Sequence, residues 1–335
     1  MTLPAWQTDN AAITRALKTD SVVLRFTEWW VRRRIYGLED QESRWLFERY
    51  MQAYKEMAVK LTVAYDKEDR LNIQRRQSLL EQIEAEMNAL MGDVANHLFL
   101  SELDAYRQGY YGRAWSLDMT TLPEVRVRAG YLPTDAIRAS VLTPYVGRQW
   151  GETLQLARDE FVLRIKRSIT TSIIGGESMA QAQRRLRDEL GIPTDRRKGF
   201  TRNFYRTMLI ARTEIMRASN LGAVAIYEQN ADLIGSWEWA AARDRRTCPD
   251  CQGLDGKRFK LGELHPVPPS GSHPGCRCTA MPVLLDTDLM DRIAGGPREL
   301  YRDWAARQGI AGADGGLAQQ RTADAHGINT TSGKE

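Results

Sequence analysis

The stretch of sequence that decides the C-terminal part of the fold contains every cysteine of the chain. It begins with Cys248-Pro249-Asp250-Cys251 and ends with His273-Pro274-Gly275-Cys276-Arg277-Cys278. The spacing C-x2-C lets two thiolates bind one tetrahedral ion, because the two-residue turn directs both sulfurs inward. The second pair has the tighter spacing C-x-C, and the histidine three positions before it offers a replacement ligand. The pattern therefore predicts that both ends of the stretch meet around one metal ion.

The candidate metal ligands are the paired cysteines and a neighbouring histidine: Cys248, Cys251, Cys276, Cys278 and His273, with His265 as a further donor nearby. A zinc ion whose positions are all filled by protein ligands is structural rather than catalytic, so structural zinc is the predicted cofactor. Metal binding would also supply folding free energy to a segment that is poor in apolar residues. Two alternatives stay open at this point: reduced structural thiols, or a disulfide formed after release from the cell.

The chain before residue 230 has the pattern of a mainly helical protein. Apolar residues recur every three or four positions from 71 to 100, which predicts a helix with one apolar stripe. Further helices are predicted at 26–57, from Thr134 onward, and at 151–174, 178–190, 200–220 and 224–229. Gly175-Gly176 predicts one helix end, Ser178 a helix start and Gly191 the next end. The aromatic residues of 26–57 are expected to pack in the core, and the alternative is a docking surface for another protein.

Two short stretches alternate between apolar and polar residues, as strands do: 125–128 and 236–240. Residues 309–335 have almost no large apolar side chains, which predicts a flexible tail. The predicted fold class is α+β and mostly α, with long N-terminal helices, a small Cys/His-stapled α+β module at 236–282 and a flexible C-terminal tail. The predicted divisions are a helical N-terminal region 1–133, a domain 134–285 and the tail 286–335.

Composition excludes several classes of protein. The 335 residues are enough for about two domains, and 42% hydrophobic residues exclude a wholly disordered chain. A net charge of only +4 excludes a polycation, so any affinity for nucleic acid must come from local clusters. The first residues lack a basic start followed by an apolar run, and no stretch approaches the roughly 18 apolar residues of a membrane span. We therefore expect synthesis in a reducing host cytoplasm and no membrane partner.

One local cluster of positive charge lies between residues 184 and 217, where ten basic and four acidic residues occur. All but one of the basic residues are arginines, whose guanidinium groups bind phosphate oxygens in pairs. The predicted contacts to double-stranded DNA are Arg196, Arg197, Lys198, Arg202 and Arg206. Such contacts would be salt-sensitive and independent of base sequence. The alternative is that these residues pair with acidic groups of this chain or of a partner protein.

Little in the sequence points to catalysis. None of the motifs G-x-S-x-G, H-E-x-x-H and G-x-x-x-x-G-K-[ST] occurs, and paired cysteines suit a shared ion better than a lone nucleophile. His97 is expected to be packed or exposed on a helix, and Glu214 to pair with a nearby arginine. Asp244 and Asp255 could serve a metal-dependent nuclease. A zinc-dependent enzyme that acts on nucleic acid is therefore the alternative function.

Further motifs accompany the cysteines: Trp237-Glu238-Trp239, the run from Arg243 to Cys251, Leu254-Asp255-Gly256, Pro268-Pro269 and the run from His273 to Cys278. Together they resemble the signature of the phage head morphogenesis family, the Mu F-like minor head proteins of tailed bacteriophages. Upstream, Gly175-Gly176-Glu177-Ser178 and Ala211-Arg212-Thr213-Glu214, with Asn220 and Gly222, are also similar to that family. The resemblance covers about 144–282, and no motif of residues 1–140 belongs to it.

The resemblance implies a non-enzymatic minor capsid protein that is bound near the portal vertex and acts in head assembly and in DNA packaging or delivery. The partners that it implies are the portal protein, the major capsid or scaffold protein, and double-stranded DNA. It implies a location in the virion, in the capsid interior or at the portal vertex. Region 1–133 would then be the part that docks on the portal or capsid.

Overall fold

The structure is a computed structural model that describes residues 22–65, 75–142, 150–192, 202–243, 246–263, 265–286 and 297–310. In these ranges the helices are α1 (Val22–Ala64), α2 (Arg76–Thr120), α3 (Thr134–Leu142), α4 (Trp150–Ile174), α5 (Met179–Leu190), α6 (Arg202–Gln229), α7 (Pro249–Leu254) and α8 (Tyr301–Arg307). The strands are β1 (Ile234–Ala240), β2 (Arg258–Lys260) and β3 (Thr279–Leu284). The predicted fold class, α+β and mostly α, is confirmed.

The described residues form two compact units, and neither unit is a continuous stretch of sequence. The first, called the helical unit below, takes its described residues from Glu39–Phe99 and Pro144–Arg212. The second, called the sheet unit, takes them from Met1–Leu38, Leu100–Thr143 and Thr213–Glu335. Both units cut across the predicted segments, whose boundaries at 133 and 285 stay predictions.

The helical unit packs around one apolar core. Its buried residues recur every three or four positions, which is the spacing that places side chains on one face of a helix. From α1 they are Leu46, Tyr50, Ala53, Met57 and Leu61, and from α2 they are Leu79, Ile83, Met87, Leu90, Val94 and Leu98. The helices α4, α5 and the start of α6 complete the core, and the Tyr50 hydroxyl is hydrogen-bonded to Thr207 Oγ1 at 2.7 Å.

Helix α5 begins and ends where its sequence predicts. Ser178 is the N-cap, its hydroxyl accepts the Gln181 amide N–H, and the Gln181 side chain accepts the Ser178 amide N–H at 2.8 Å. This reciprocal pair is a capping box. Gly191 ends the helix in the left-handed conformation, with φ 74°.

The sheet of the sheet unit has three antiparallel strands in the order β2-β1-β3. Strand β1 alternates as predicted for 236–240: Trp237 and Trp239 are buried on one face, and their rings lie 6.4 Å apart. The Trp237 ring stacks on Phe259 of β2 at 4.4 Å. The opposite face of β1 carries Glu238, which binds the Arg258 guanidinium at 3.3 Å. Alternation along the central strand thus gives the sheet one aromatic, core-facing side.

Helices α2 and α6 approach each other closely inside the sheet unit. A side-chain carbon at Gly222 would lie 2.2 Å from the Tyr106 carbonyl oxygen, and one at Gly109 would lie 2.0 Å from that of Ser219. Only glycine leaves room for backbones at this distance.

The sequence predicted two helices at 200–220 and 224–229, and this prediction is wrong. Gly222 lies in the interior of a single helix, Arg202–Gln229.

Two further predictions from the sequence are corrected. Residues 125–128 form no strand, because Arg128 donates its amide N–H to the Asn230 side chain at 2.8 Å and accepts that side chain's N–H at 3.0 Å, in place of pairing with another strand. The tail predicted from 286 contains the helix α8, whose Tyr301 and Trp304 are buried. Residues 311–335 of that tail lie outside the described residues.

Candidate metal centre

The first half of the cysteine site is a turn at the start of α7. Cys248 is the N-cap of this helix and Pro249 follows it, so the backbone is preset for helical φ from the next position. The Cys251 amide N–H donates to Cys248 Sγ at 3.3 Å. This hydrogen bond closes the C-x2-C turn and places both sulfurs on the same side of it.

The second half is the loop that leads into β3. The Cys276 amide N–H donates to the His273 carbonyl oxygen at 3.2 Å, and Gly275 between them has φ 73°. The Gly275 amide N–H donates to Thr213 Oγ1 on α6 at 2.8 Å, which holds the loop against the helix. His273 Nδ1 donates to the Pro274 carbonyl at 2.9 Å, and Nε2 is the ring nitrogen that faces Cys251.

The two halves meet at Cys251. Its sulfur lies 3.3 Å from His273 Nε2 and 3.6 Å from Cys276 Sγ. Two groups of donor atoms, each within 4.8 Å of one another, share this sulfur: Cys248, Cys251 and His273, and Cys251, Cys276 and Cys278. Cys251, Cys276 and Cys278 are each 2% exposed, whereas Cys248 and His273 are half-buried. The predicted convergence of the two cysteine pairs is therefore what the fold shows.

The thiols of this site have strongly shifted pKa values. A hydrogen bond from Cys278 lowers the pKa of Cys276 to about 5, although burial acts in the opposite direction. The same hydrogen bond, and then burial, raises the pKa of Cys278, while the Trp239 indole beside it acts to lower it. Burial, with the negative charge on Cys276, raises the pKa of Cys251 to about 12. Buried sulfurs at this spacing repel one another when ionised, and a bound cation would remove that repulsion.

The donors fit a soft divalent metal ion. Thiolate sulfur and imidazole nitrogen are the ligands that zinc prefers, and both kinds converge here within coordination range of one another. The four cysteines are free thiols. The buried Cys/His cluster can therefore hold a metal ion, and four positions can be filled without a water molecule.

The structure places the other candidate residues of the sequence outside this cluster. His265 is bound to Glu263 at 3.0 Å, and Asp255 accepts from Arg243 at 2.5 Å and from the Ala241 amide at 3.0 Å. Glu214 is buried and accepts from Arg217 at 2.6 Å, as expected from the sequence. His97 packs as expected, stacked on Trp45 at 3.7 Å. Asp244 lies outside the described residues.

In the sequence, Asn220 of α6 stands out only as part of the family resemblance. The structure shows which groups it contacts. It is 1% exposed, and its amide nitrogen lies 2.9 Å from the Pro268 carbonyl and 3.2 Å from the Cys278 carbonyl. Its side-chain oxygen accepts the Ala280 amide N–H at 2.9 Å. This one side chain therefore fixes both the loop and the strand that carry half of the site.

The predicted DNA contacts lie mostly where the structure gives no account of them. Arg196, Arg197 and Lys198 fall outside the described residues, and Arg202 opens α6. Arg206 is exposed and binds Glu160 at 2.5 Å. The predicted binding of DNA by these five residues stays a prediction.

Comparison with known proteins bears on the region that builds the site. Residues 164–281 match a family model described as "Phage Mu protein F like protein". Over these residues the chain is Mu F-like. The predicted resemblance to the phage head morphogenesis family is confirmed, over a range close to the expected 144–282. We find no significant match among curated proteins or among solved structures.

The Mu F-like segment contains every member of the Cys/His cluster together with Thr213 and Asn220, which position it. Among the described helices, none has both the length and the apolar character that crossing a membrane requires.

Proposed function

We propose that this chain is a head morphogenesis protein and a minor capsid component of a tailed phage, bound near the portal vertex and acting in head assembly and in DNA packaging or delivery. The observation that carries the proposal is the Mu F-like segment at 164–281, which contains the buried Cys/His cluster. Its place of action is the virion, in the capsid interior or at the portal vertex.

The chemistry of the described residues supports a non-enzymatic role. Of the two carboxylates that could have served a nuclease, Asp255 forms an ion pair with Arg243, and Asp244 lies outside the described residues. The Cys/His cluster offers more protein ligands than a tetrahedral ion needs, which leaves no position for a substrate or an activated water.

We further propose that the metal ion is zinc and that its role is structural. The cluster joins the short helix α7 to the loop before β3, and between them lie few buried apolar residues. Metal binding would supply the folding free energy that such a segment lacks. Metal content per chain, measured on protein purified without chelator, tests this, and about one zinc per chain is expected.

The proposed partners are the portal protein, the major capsid or scaffold protein, and double-stranded DNA. DNA contact is assigned to the basic residues at 196–206, since arginine-rich clusters bind phosphate without reading base sequence.

The function is tested in the phage that encodes the chain, by suppressing its synthesis and isolating the particles formed. We expect normal virions to contain the chain in far fewer copies than the major capsid protein. We expect particles made without it to be defective in assembly or in DNA content. The proposal would be contradicted if normal virions of this phage contained none of the chain. Metal-dependent cleavage of DNA by the purified protein, abolished by His273→Ala, would also contradict it.

A further inference from the structure

The cluster presents five donor side chains, and a tetrahedral ion takes four. Which donor is left out decides what holds the C-terminal part of the Mu F-like segment together. The local geometry of the five residues distinguishes one of them from the rest.

Four of the donors come in two turns of similar sequence. Cys248 and Cys251 lie three positions apart in Cys-Pro-Asp-Cys, and His273 and Cys276 lie three positions apart in His-Pro-Gly-Cys. Each turn has proline after its first donor, and each is closed by the amide N–H of its second donor: Cys251 to Cys248 Sγ at 3.3 Å, and Cys276 to the His273 carbonyl at 3.2 Å. The first turn therefore places two sulfurs on one side, as metal-binding knuckles do, and the second turn brings its histidine and its cysteine each next to Cys251.

The two turns also face each other at a suitable distance. Cys251 Sγ lies 3.3 Å from His273 Nε2 and 3.6 Å from Cys276 Sγ. Bond lengths of about 2.3 Å to sulfur and about 2.0 Å to nitrogen put tetrahedral ligand atoms about 3.5 to 3.8 Å apart. Both donors of the second turn thus lie from Cys251 at close to the separation that a shared ion requires.

Cys278 is held in a different way, as part of the sheet. Its carbonyl accepts from Asn220, and the next residue, Thr279, opens β3 opposite Ala240. Its side chain lies against the Trp239 indole of β1, in the core. Its amide N–H donates to Cys276 Sγ at 3.4 Å, and a backbone group makes this bond whatever the side chain is. The backbone of Cys278 therefore stabilises the Cys276 thiolate, and Cys278 is not part of either metal-binding turn.

We infer that the ion is held by Cys248, Cys251, His273 and Cys276, and that Cys278 is a buried core thiol outside the coordination sphere. This inference rests on the proposed zinc site. Thr213 then acts as a positioning residue, because it holds Gly275 of the second turn, and Asn220 fixes the loop and the strand on either side of that turn.

Titration of the metal-stripped, reduced full chain with Co²⁺ tests the ligand set, since cobalt replaces zinc in tetrahedral sites and reports its ligands in visible and charge-transfer absorption. We expect one equivalent to bind, with a charge-transfer intensity set by three thiolates. Cys278→Ala is expected to keep that stoichiometry and intensity. Cys276→Ala is expected to lose about one third of the intensity and to bind at least ~10-fold more weakly.

His273→Cys adds a thiolate, so we expect it to raise the charge-transfer intensity by about one third while keeping one equivalent of Co²⁺. Far-UV circular dichroism checks that each variant is folded, and Cys278→Ser replaces Cys278→Ala if the alanine variant is not.

The outcomes separate the two proposals. If the wild type binds no metal, both the zinc site and this ligand set are wrong. If it binds one equivalent but Cys278→Ala loses about a quarter of the intensity while His273→Ala loses none, the site is zinc-like with four thiolates, and only the ligand set is overturned.

Discussion

Asn220 shows how one polar side chain can organise a site that it does not belong to. It lies in the middle of α6, where asparagine is a poor helix former, and it is almost completely buried. The free energy lost by placing it there is offset by hydrogen bonds to the backbone around Pro268, Cys278 and Ala280. Burial of that backbone without partners would be more costly.

Asn220→Ala is expected to lower the free energy of unfolding by about 3 kcal/mol, because it leaves the Ala280 N–H and two carbonyl oxygens buried without this partner. Urea unfolding followed by tryptophan fluorescence measures the change. Asn88→Ala on α2 is the control: Asn88 is exposed, and its replacement should leave stability unchanged or slightly higher. Equal effects of the two substitutions would show that Asn220 has no special role.

At the scale of residues, the sequence predicted that the cysteines converge. It did not predict the hydrogen bonds of Asn220 that hold the second half of the site in place. C-x2-C and the histidine before C-x-C carry their meaning in local spacing, so they are recognisable without a fold. The partners of Asn220 lie 48, 58 and 60 positions away, and no local pattern marks them. The family resemblance marked Asn220 as part of a motif but did not indicate what it contacts.

At the scale of elements, the contact between α2 and α6 depends on glycine at two positions. At Gly109 and at Gly222 the backbone of the facing helix occupies the space that a Cβ atom would need. Close approach of this kind brings more of the two helices into van der Waals contact. Glycine inside a helix lowers stability by about 1 kcal/mol relative to alanine. The closer contact between the two helices offsets that loss.

Gly222→Ala is expected to destabilise the protein by about 3 kcal/mol, because its new methyl group would meet the Tyr106 backbone and force the helices apart. Thermal unfolding by differential scanning calorimetry measures this. Gly92→Ala on α2 is the matched control, since nothing lies within 4 Å of the position, and it should stabilise by up to about 1 kcal/mol. A stabilising Gly222→Ala would show that the helices are not in this close contact.

Helix α8 extends the order of the sheet unit beyond the Mu F-like segment. Trp304 donates its indole N–H to Asp118 at 2.8 Å, and the Trp115 indole donates to the Glu299 carbonyl at 3.0 Å. The Tyr301 ring packs against Trp30 and Trp115. The sequence predicted a tail here, because a seven-residue helix with two aromatic residues has too short a pattern to stand out against polar surroundings.

A chain that ends after residue 296 is expected to be less stable than the full chain by about 3 kcal/mol, because it loses the buried side chains of Tyr301 and Trp304 and uncovers Trp115. A chain that ends after residue 310 keeps α8 and is expected to unfold like the full chain. Thermal melts of the two truncations make the comparison, and identical midpoints would contradict the assigned role of α8.

At the scale of the whole molecule, charge decides what the proposed DNA contact looks like. The chain has a net charge of only +4, so binding must depend on where the basic residues are and not on their number. Ion release from DNA makes the logarithm of affinity fall linearly with the logarithm of salt concentration, with a slope set by the number of phosphates contacted.

Replacing Arg196, Arg197 and Lys198 by glutamine is expected to reduce this salt slope by up to about 3 and to weaken binding at low salt. Fluorescence anisotropy with a labelled duplex at several salt concentrations measures the slope. The control replaces Lys257, Arg258 and Lys260 by glutamine, which removes the same charge from β2 and the residue before it and should leave the slope unchanged. If the salt slope fell equally in both variants, DNA binding would depend on net charge alone and not on residues 196–198.

The interleaving of the two units has a consequence for how the chain is made. A ribosome releases the segments in order, and the helical unit has all of its parts once residue 212 has emerged, whereas the sheet unit still lacks its strands. During that interval residues 22–38 and 100–142 have been synthesised with their apolar faces uncovered. We therefore expect the nascent chain to need shielding, by a chaperone or an assembly partner, until the strands that end at Leu284 have been translated.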